Sequence, residues 1–194
     1  MNCMNCGAPL GRSMYCPSCG KNVQQQKKAE HLSNLYYNQG LEKAQIRDLS
    51  GAEDLLLRSL KFNKLKIPAR NLLGLVYYEM GEAVSALSEW IISKNFQRKD
   101  NLASDYIERL QKEANKLDSI NLSIKKFNEA LRCCREGNED VAVIQLKKII
   151  QQNHRLIKAH HLLALIYIHQ EKYEKARNCL LYTSPSPRDV EESR

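Results

Sequence analysis

The sequence predicts an all-α chain of helical hairpins stacked into a solenoid, with a small cysteine-rich module in front of it. Three observations carry that expectation. From residue 24 onward there is almost no strand-like alternation, and Pro68 is the only proline before the tail. Small residues recur 34 positions apart: Gly40 and Gly74, Ala52 and Ala86, Ala130 and Ala164, Ala142 and Ala176. Four of the seven cysteines fall within the first nineteen residues.

Composition sets the outer bounds. A chain of 194 residues with 43% hydrophobic content can bury a real core. It does not open with a basic start followed by an apolar stretch, and its longest apolar run, "HHLLALIYI", is too short to cross a bilayer. We therefore expect a cytoplasmic protein, where thiols stay reduced and paired cysteines hold metal rather than form disulfides. The net charge of +8 is spread among interspersed acids, which is the pattern of a solvated surface. It leaves weak attraction to nucleic acid or anionic lipid open.

The first element is the cysteine module. Cys3 and Cys6 form one C-x2-C pair, Cys16 and Cys19 a second, and Gly7 and Gly20 follow the pairs. Each pair turns two sulfurs toward one centre, and two pairs supply the four thiolates that tetrahedral Zn2+ prefers. The glycines are expected to relieve crowding where the backbone turns under the metal. So short a segment buries little apolar surface, and metal binding would supply its folding free energy, on the order of 10 kcal/mol. Four thiolates fill the shell, so the zinc is expected to be structural. Both knuckles, together with Tyr15 just before the third cysteine, resemble the short zinc ribbons at the N-termini of many bacterial proteins. The resemblance covers residues 1–23 and implies a module for protein or nucleic-acid contact. Arg12 and Lys21 are its only basic residues, few for gripping phosphates.

Residues 24–30 follow as a polar linker in which Lys27 and Lys28 are solvated. Helical units are expected at about 31–64, 67–98, 121–154 and, incomplete, 157–179. In each, the small residue of the first helix precedes the alanine of the second by 12. The clearest unit places Leu73, Gly74 and Tyr77 on its first helix, Gly81 in the turn, and Ala86 and Trp90 on the second. The last unit repeats the pattern with Leu163, Ala164, Tyr167, Tyr173 and Ala176. Asp48 and Asn138 are placed to cap the second helices of the other two. The period and the small residues resemble the tetratricopeptide repeat family over roughly residues 29–179. Lys64, Arg98 and His154 stand where that family usually has proline.

The units are out of step in the middle, because Gly74 and Ala130 are 56 residues apart. The extra segment carries Leu102, Tyr106, Ile107, Leu110 and Leu117 at helical spacing. It reads as an inserted helix at 101–118 or as an extension of the third unit's first helix. Either would bend or interrupt the stack.

The resemblance implies a non-enzymatic protein-interaction scaffold whose concave wall is lined by the first helix of each pair. The wall positions carried over are Asn34, Tyr37 and Leu41; Asn71, Leu75 and Tyr78; Phe127, Leu131 and Arg135; and Lys158, His161 and Ile168. Rings, amides and aliphatic groups suit an amphipathic helix or an extended peptide. In one subclass the wall clamps a chaperone's C-terminal carboxylate. Tyr37 and Leu41 stand where that clamp needs lysine and asparagine, which argues against such a ligand. The second reading is a nucleic-acid-associated regulator using the ribbon and the basic surplus. A thiol-based redox sensor is the third, although no cysteine has a visible activating neighbour. No phosphate loop, serine elbow or His-Glu zinc helix occurs, so no enzyme is expected.

Two neighbouring pairs have plainer accounts. Cys133 and Cys134 face different directions on one helix and read as small buried hydrophobes. His160 and His161 lack a ligand partner four residues away. After Ala176 the helical pattern breaks off, and "CLLYTSPSPRD" resembles the in-frame translation of a sequencing adapter, so residues 179–194 are expected to be a foreign tail. Proteins of similar architecture often continue into a transmembrane helix, and a membrane anchor in the parent protein is the corresponding expectation.

Overall fold

The computed structural model describes residues 1–112 and 114–181, with the backbone alone described for 114–120. Among these residues the regular structure is helical: α1 (Gln24–Gln45), α2 (Leu49–Phe62), α3 (Ile67–Glu79), α4 (Ala83–Phe96), α5 (Ala103–Lys112), α6 (Ala114–Arg135), α7 (Glu139–Gln152), α8 (Ile157–His169) and α9 (Tyr173–Leu181). Helices α1 and α2, α3 and α4, α6 and α7, and α8 and α9 pack as hairpins. Further contacts join α2 to α3, α4 to α5, and α7 to α8.

The 34-residue period has a packing cause. Gly40 on α1 faces Leu56 on α2, where a Cβ would lie 3.0 Å from Cγ, and Gly74 on α3 faces the indole of Trp90 on α4. Leu56 and Trp90 are themselves one period apart. The alanines of the second helices, Ala52, Ala86, Ala142 and Ala176, are buried, as are Ala130 and Ala164 on the first helices. A larger side chain at these points would push the helix axes apart.

The hairpin turns repeat as closely as the crossings. Arg47, Gly81, Gly137 and Glu171 all have positive φ, between 59° and 79°, and each precedes the same pair of bonds. In the second pair Gly81 N–H donates to Tyr78 O and Glu82 N–H to Tyr77 O; in the fourth, Glu171 donates to Ile168 O and Lys172 to Tyr167 O. A left-handed residue closes the first helix and reverses the chain. Two turns use glycine for it and two do not.

The ends of the helices follow ordinary rules with one correction. Asp48 caps α2, accepting from Gly51 N–H at 3.0 Å, and pairs with Lys43 at 2.8 Å. Pro68 sits in the first turn of α3, where its missing N–H costs nothing. Asn138 occupies the N-cap of α7, but its side chain makes no capping bond, contrary to the expectation from sequence.

Residues 24–30, expected as a linker, are the first turns of α1. The extra segment is divided between its two readings: α5 is a separate short helix, and α6 is a first helix lengthened to 22 residues. Ala103, Ile107 and Leu110 of α5 join Ala83, Ala86 and Trp90 of α4 in one core, with the Tyr106 ring 5.3 Å from the indole and tilted 42° to it. Leu102, counted in that apolar stripe, is exposed, and the side chain of Leu117 lies outside the described residues.

The interruption also changes what meets what. The loop before α8 abuts the α3–α4 turn: Ile157 N–H donates to Met80 O at 3.4 Å, and a Cβ on Gly81 would lie 2.9 Å from Leu156 N. Ile157 enters the core of Leu56, Leu73 and Met80. Ion pairs frame the contact: Lys158 with Glu82 at 2.8 Å, and Glu79 with both Arg155 and Arg47 at 3.5 Å. The fourth hairpin thus reaches back to the second. No helix among the described residues is long and apolar enough to cross a membrane. Leu181 ends α9, so Cys179–Leu181 of the expected tail are helical; residues 182–194 lie outside the described residues.

Candidate metal centre and groove

The cysteine module is one motif used twice, thirteen residues apart. Cys3 N–H donates to Ala8 O and Cys16 N–H to Lys21 O; Gly7 and Gly20 return bonds to Cys3 O and Cys16 O; Leu10 donates to Met1 O and Val23 to Met14 O. Short antiparallel bridges, Asn2 with Pro9 and Tyr15 with Asn22, hold each knuckle shut. The sequence carries this duplication openly, as "MNCMNCGAPL" and "MYCPSCGKNV", though the cysteine spacing alone does not draw the eye to it. Gly7 and Gly20 have φ of 74° and 69°, and a Cβ on either would meet nothing within 4 Å. The glycines therefore serve the left-handed turn and not relief of crowding.

The two knuckles face each other and bring four sulfurs to one point. All lie within 4.8 Å of one another, with Cys3 and Cys19 3.8 Å apart and Cys6 and Cys16 3.6 Å apart, and no disulfide forms. A tetrahedron with metal–sulfur bonds of about 2.3 Å has edges of about 3.8 Å, so these separations suit a single ion. Backbone amides prepare the thiolates. Those of Cys6 and Asn5 lower the Cys3 thiol, and that of Lys21, with the Asn5 side chain, brings Cys19 down to about 6. Cys6 has an amide partner at Ala8 but is pushed up to about 12 by Cys19 and its other sulfur neighbours. Four thiolates this close cannot all ionise unless a cation offsets their repulsion.

The cysteine module is joined firmly to α1. Val23, the N-cap of α1, is buried with Cys3 and Cys16 in one small core. The Gln26 side chain donates to Asn2 O at 2.6 Å and accepts from Met4 N–H at 3.2 Å. Lys27 Nζ donates to Gly11 O at 2.6 Å and Ser13 O at 2.5 Å, in the segment between the knuckles.

The expected wall residues fall into several settings. Asn34 and Tyr37 converge on Lys66, which donates to Asn34 Oδ1 and lies over the Tyr37 ring, 5.3 Å from its centroid. Asn71 is tied into the second hairpin: it donates to Asn101 Oδ1 at 2.9 Å, accepts from Ser93 Oγ at 2.6 Å, and its carbonyl accepts from Trp90 Nε1. Tyr78 packs at 6.3 Å from the Trp90 ring, and Leu75 joins the same core. Phe127 lies against the α6–α9 core, Leu41, Leu131 and His161 are half-buried, Arg135 and Ile168 are exposed, and Lys158 is paired with Glu82.

Lys66, Asn101 and Glu82 were not singled out from sequence. Lys66 lies between repeat units and Asn101 inside the extra segment, so neither has a position in the period. Cys133 is buried in the α6–α9 core, and burial raises the partly buried Cys134 and Cys179 thiols. No protein-family model matches this chain, and no curated protein does either.

Proposed function

We propose that the chain is a non-enzymatic scaffold of the tetratricopeptide kind, holding a protein or peptide ligand along its first helices, with a structural Zn2+ in the ribbon. The observation that carries the reading is the recurrence of one hairpin: the same small-residue crossing and the same left-handed turn, 34 residues apart within the first two and within the last two hairpins. Stacked hairpins of this kind present their first helices along one wall. Half-buried Tyr37, Asn71 and Tyr78 with exposed Asn34, on α1 and α3, favour an amphipathic helix or extended peptide as ligand.

Cys3, Cys6, Cys16 and Cys19 would hold the zinc. Bound there, it would neutralise the thiolates and cross-link the two knuckles, with no open position for water. The nucleic-acid reading gains no particular support, since the ribbon offers only Arg12 and Lys21.

Photo-crosslinking tests the scaffold reading. A benzophenone amino acid at Tyr37 on α1 is expected to trap a discrete adduct in cells, and the same group at exposed Ile144 on α7 is not. No adduct from Tyr37, or the same adduct from both, overturns the groove. Elemental mass spectrometry tests the metal, with one zinc per chain expected and none after Cys16→Ser. Iron in its place, or no metal, overturns that part.

A further inference from the structure

We infer that metal in the ribbon decides whether the first six residues of α1 are helix or linker, so that the ribbon is a rigid arm when loaded and a tethered bead when empty. The inference rests on the metal reading above and adds what the metal does to the solenoid.

The register of the first hairpin locates the overhang. Ser33 on α1 is level with Ser59 on α2, their hydroxyls 3.1 Å apart, with Ser59 Oγ also donating to Ser33 O at 2.7 Å. One turn earlier, Glu30 accepts from Asn63, the C-cap of α2, at 2.7 Å. Residues 24–29 therefore extend past the end of α2, about 9 Å of helix at 1.5 Å per residue.

The overhang is continuous with α1, so it forms by propagation alone, but propagation is close to neutral for glutamine and lysine in water, and a helix end without a cap frays. The composition of "QQQKKA" adds no apolar stripe, and the helix has neither an acidic first turn nor a side-chain cap on Val23. What holds the overhang is the ribbon: Val23 in the cysteine core, Gln26 across the first knuckle and Lys27 on the inter-knuckle segment. Each of these partners exists only while the ribbon is folded. A module of this size has too little apolar surface to stay folded once the ion is gone.

Loss of the metal then removes Asn2 O, Gly11 O and Ser13 O from their places, and Gln26 and Lys27 lose their acceptors together. The cleft of ≈780 Å³ between the ribbon and α1–α2, lined by Met4, Lys21, Gln26, Glu30, Phe62 and Leu65, disappears with them. Helix from Glu30 onward keeps its α2 partner and stays formed.

Hydrogen exchange of the full chain, with and without zinc under reducing conditions, tests the inference. Removing zinc is expected to speed amide exchange at 27–29 at least tenfold while α3 and α4 are unchanged. Gln26→Ala with Lys27→Ala is expected to speed the same amides in protein that still holds one zinc. Zinc bound and removed with no change at 27–29 overturns the inference alone. A chain that binds no metal overturns it together with the metal reading. Acceleration spreading through α3 and α4 on zinc removal also counts against it, as the effect would then be global.

Discussion

Trp90 occupies the space that any side chain on Gly74 would need: a Cβ there would lie 2.6 Å from Cδ1 and 2.7 Å from Cε2 of the indole. The ring cannot retreat, because Tyr78 and Tyr106 flank it and its Nε1 is bonded to Asn71 O. Gly74→Ala is expected to lower stability by about 1–3 kcal/mol through overpacking. Denaturant titration followed by the fluorescence of Trp90, the protein's single tryptophan, measures it, and an unchanged midpoint would refute the close crossing.

The repeated turn makes a prediction of opposite sign. Glu171 holds the left-handed position that Gly81 and Gly137 hold in other hairpins. Glu171→Gly is expected to raise stability by about 0.5–1 kcal/mol, and Gly137→Ala, into open space, to lower it by about 1 kcal/mol. Thermal unfolding of both variants checks the pair of signs.

Caps at equivalent places should differ in worth. Asp48→Ala removes a bond to Gly51 N–H and the Lys43 partner that, with that bond, lowers its carboxyl pKa, and should cost about 1 kcal/mol. Asn138→Ala removes no side-chain cap bond and should cost a few tenths. Equal losses would mean that Asn138 caps α7 after all.

The contact between the second and fourth hairpins is testable as a coupling. The Glu82 side chain is only 9% exposed and pairs with Lys158, which is 52% exposed; Ser85 Oγ also donates to Glu82 Oε2, and Oε1 has no hydrogen-bond partner among the described residues. A double-mutant cycle with Glu82→Gln and Lys158→Met is expected to give about 1 kcal/mol. The exposed Asp54–Arg58 pair should give a few tenths. A coupling no larger than that of the surface pair would show that the two hairpins do not depend on each other there.

His160 sets an expected pH response. Burial lowers its pKa, helped by His161 and His154, although its Nε2 lies 3.1 Å from His154 O. A base whose folded pKa is depressed binds fewer protons than the unfolded chain. Its stabilising contribution is complete above the unfolded value of about 6.5 and declines as pH falls below it. Melting temperature should therefore drop between pH 7.5 and 5.5, and His160→Gln should flatten that drop. An equal slope in both proteins would exclude His160 as the source.

The sequence alone determined what depends on local chemistry and on a fixed interval. The convergence of the four cysteines was legible because C-x2-C geometry is set within each turn, and the hairpins because Gly40, Gly74, Ala52 and Ala86 must be small where two helices cross. Three things were decided only in three dimensions. Residues 24–30 are helical, with Gln26 and Lys27 bonded to carbonyls more than ten residues away that no helical period encodes. Asn71 and Lys158 acquired partners, Asn101 in the extra segment and Glu82 in the turn of the second hairpin, that the 34-residue period does not place beside them. Asn138 failed to cap because a cap is a matter of rotamer and turn angle, and the residue name at the right position specifies neither. Short-range geometry is written into neighbouring residues, whereas contacts across a stack depend on how every preceding hairpin has been rotated.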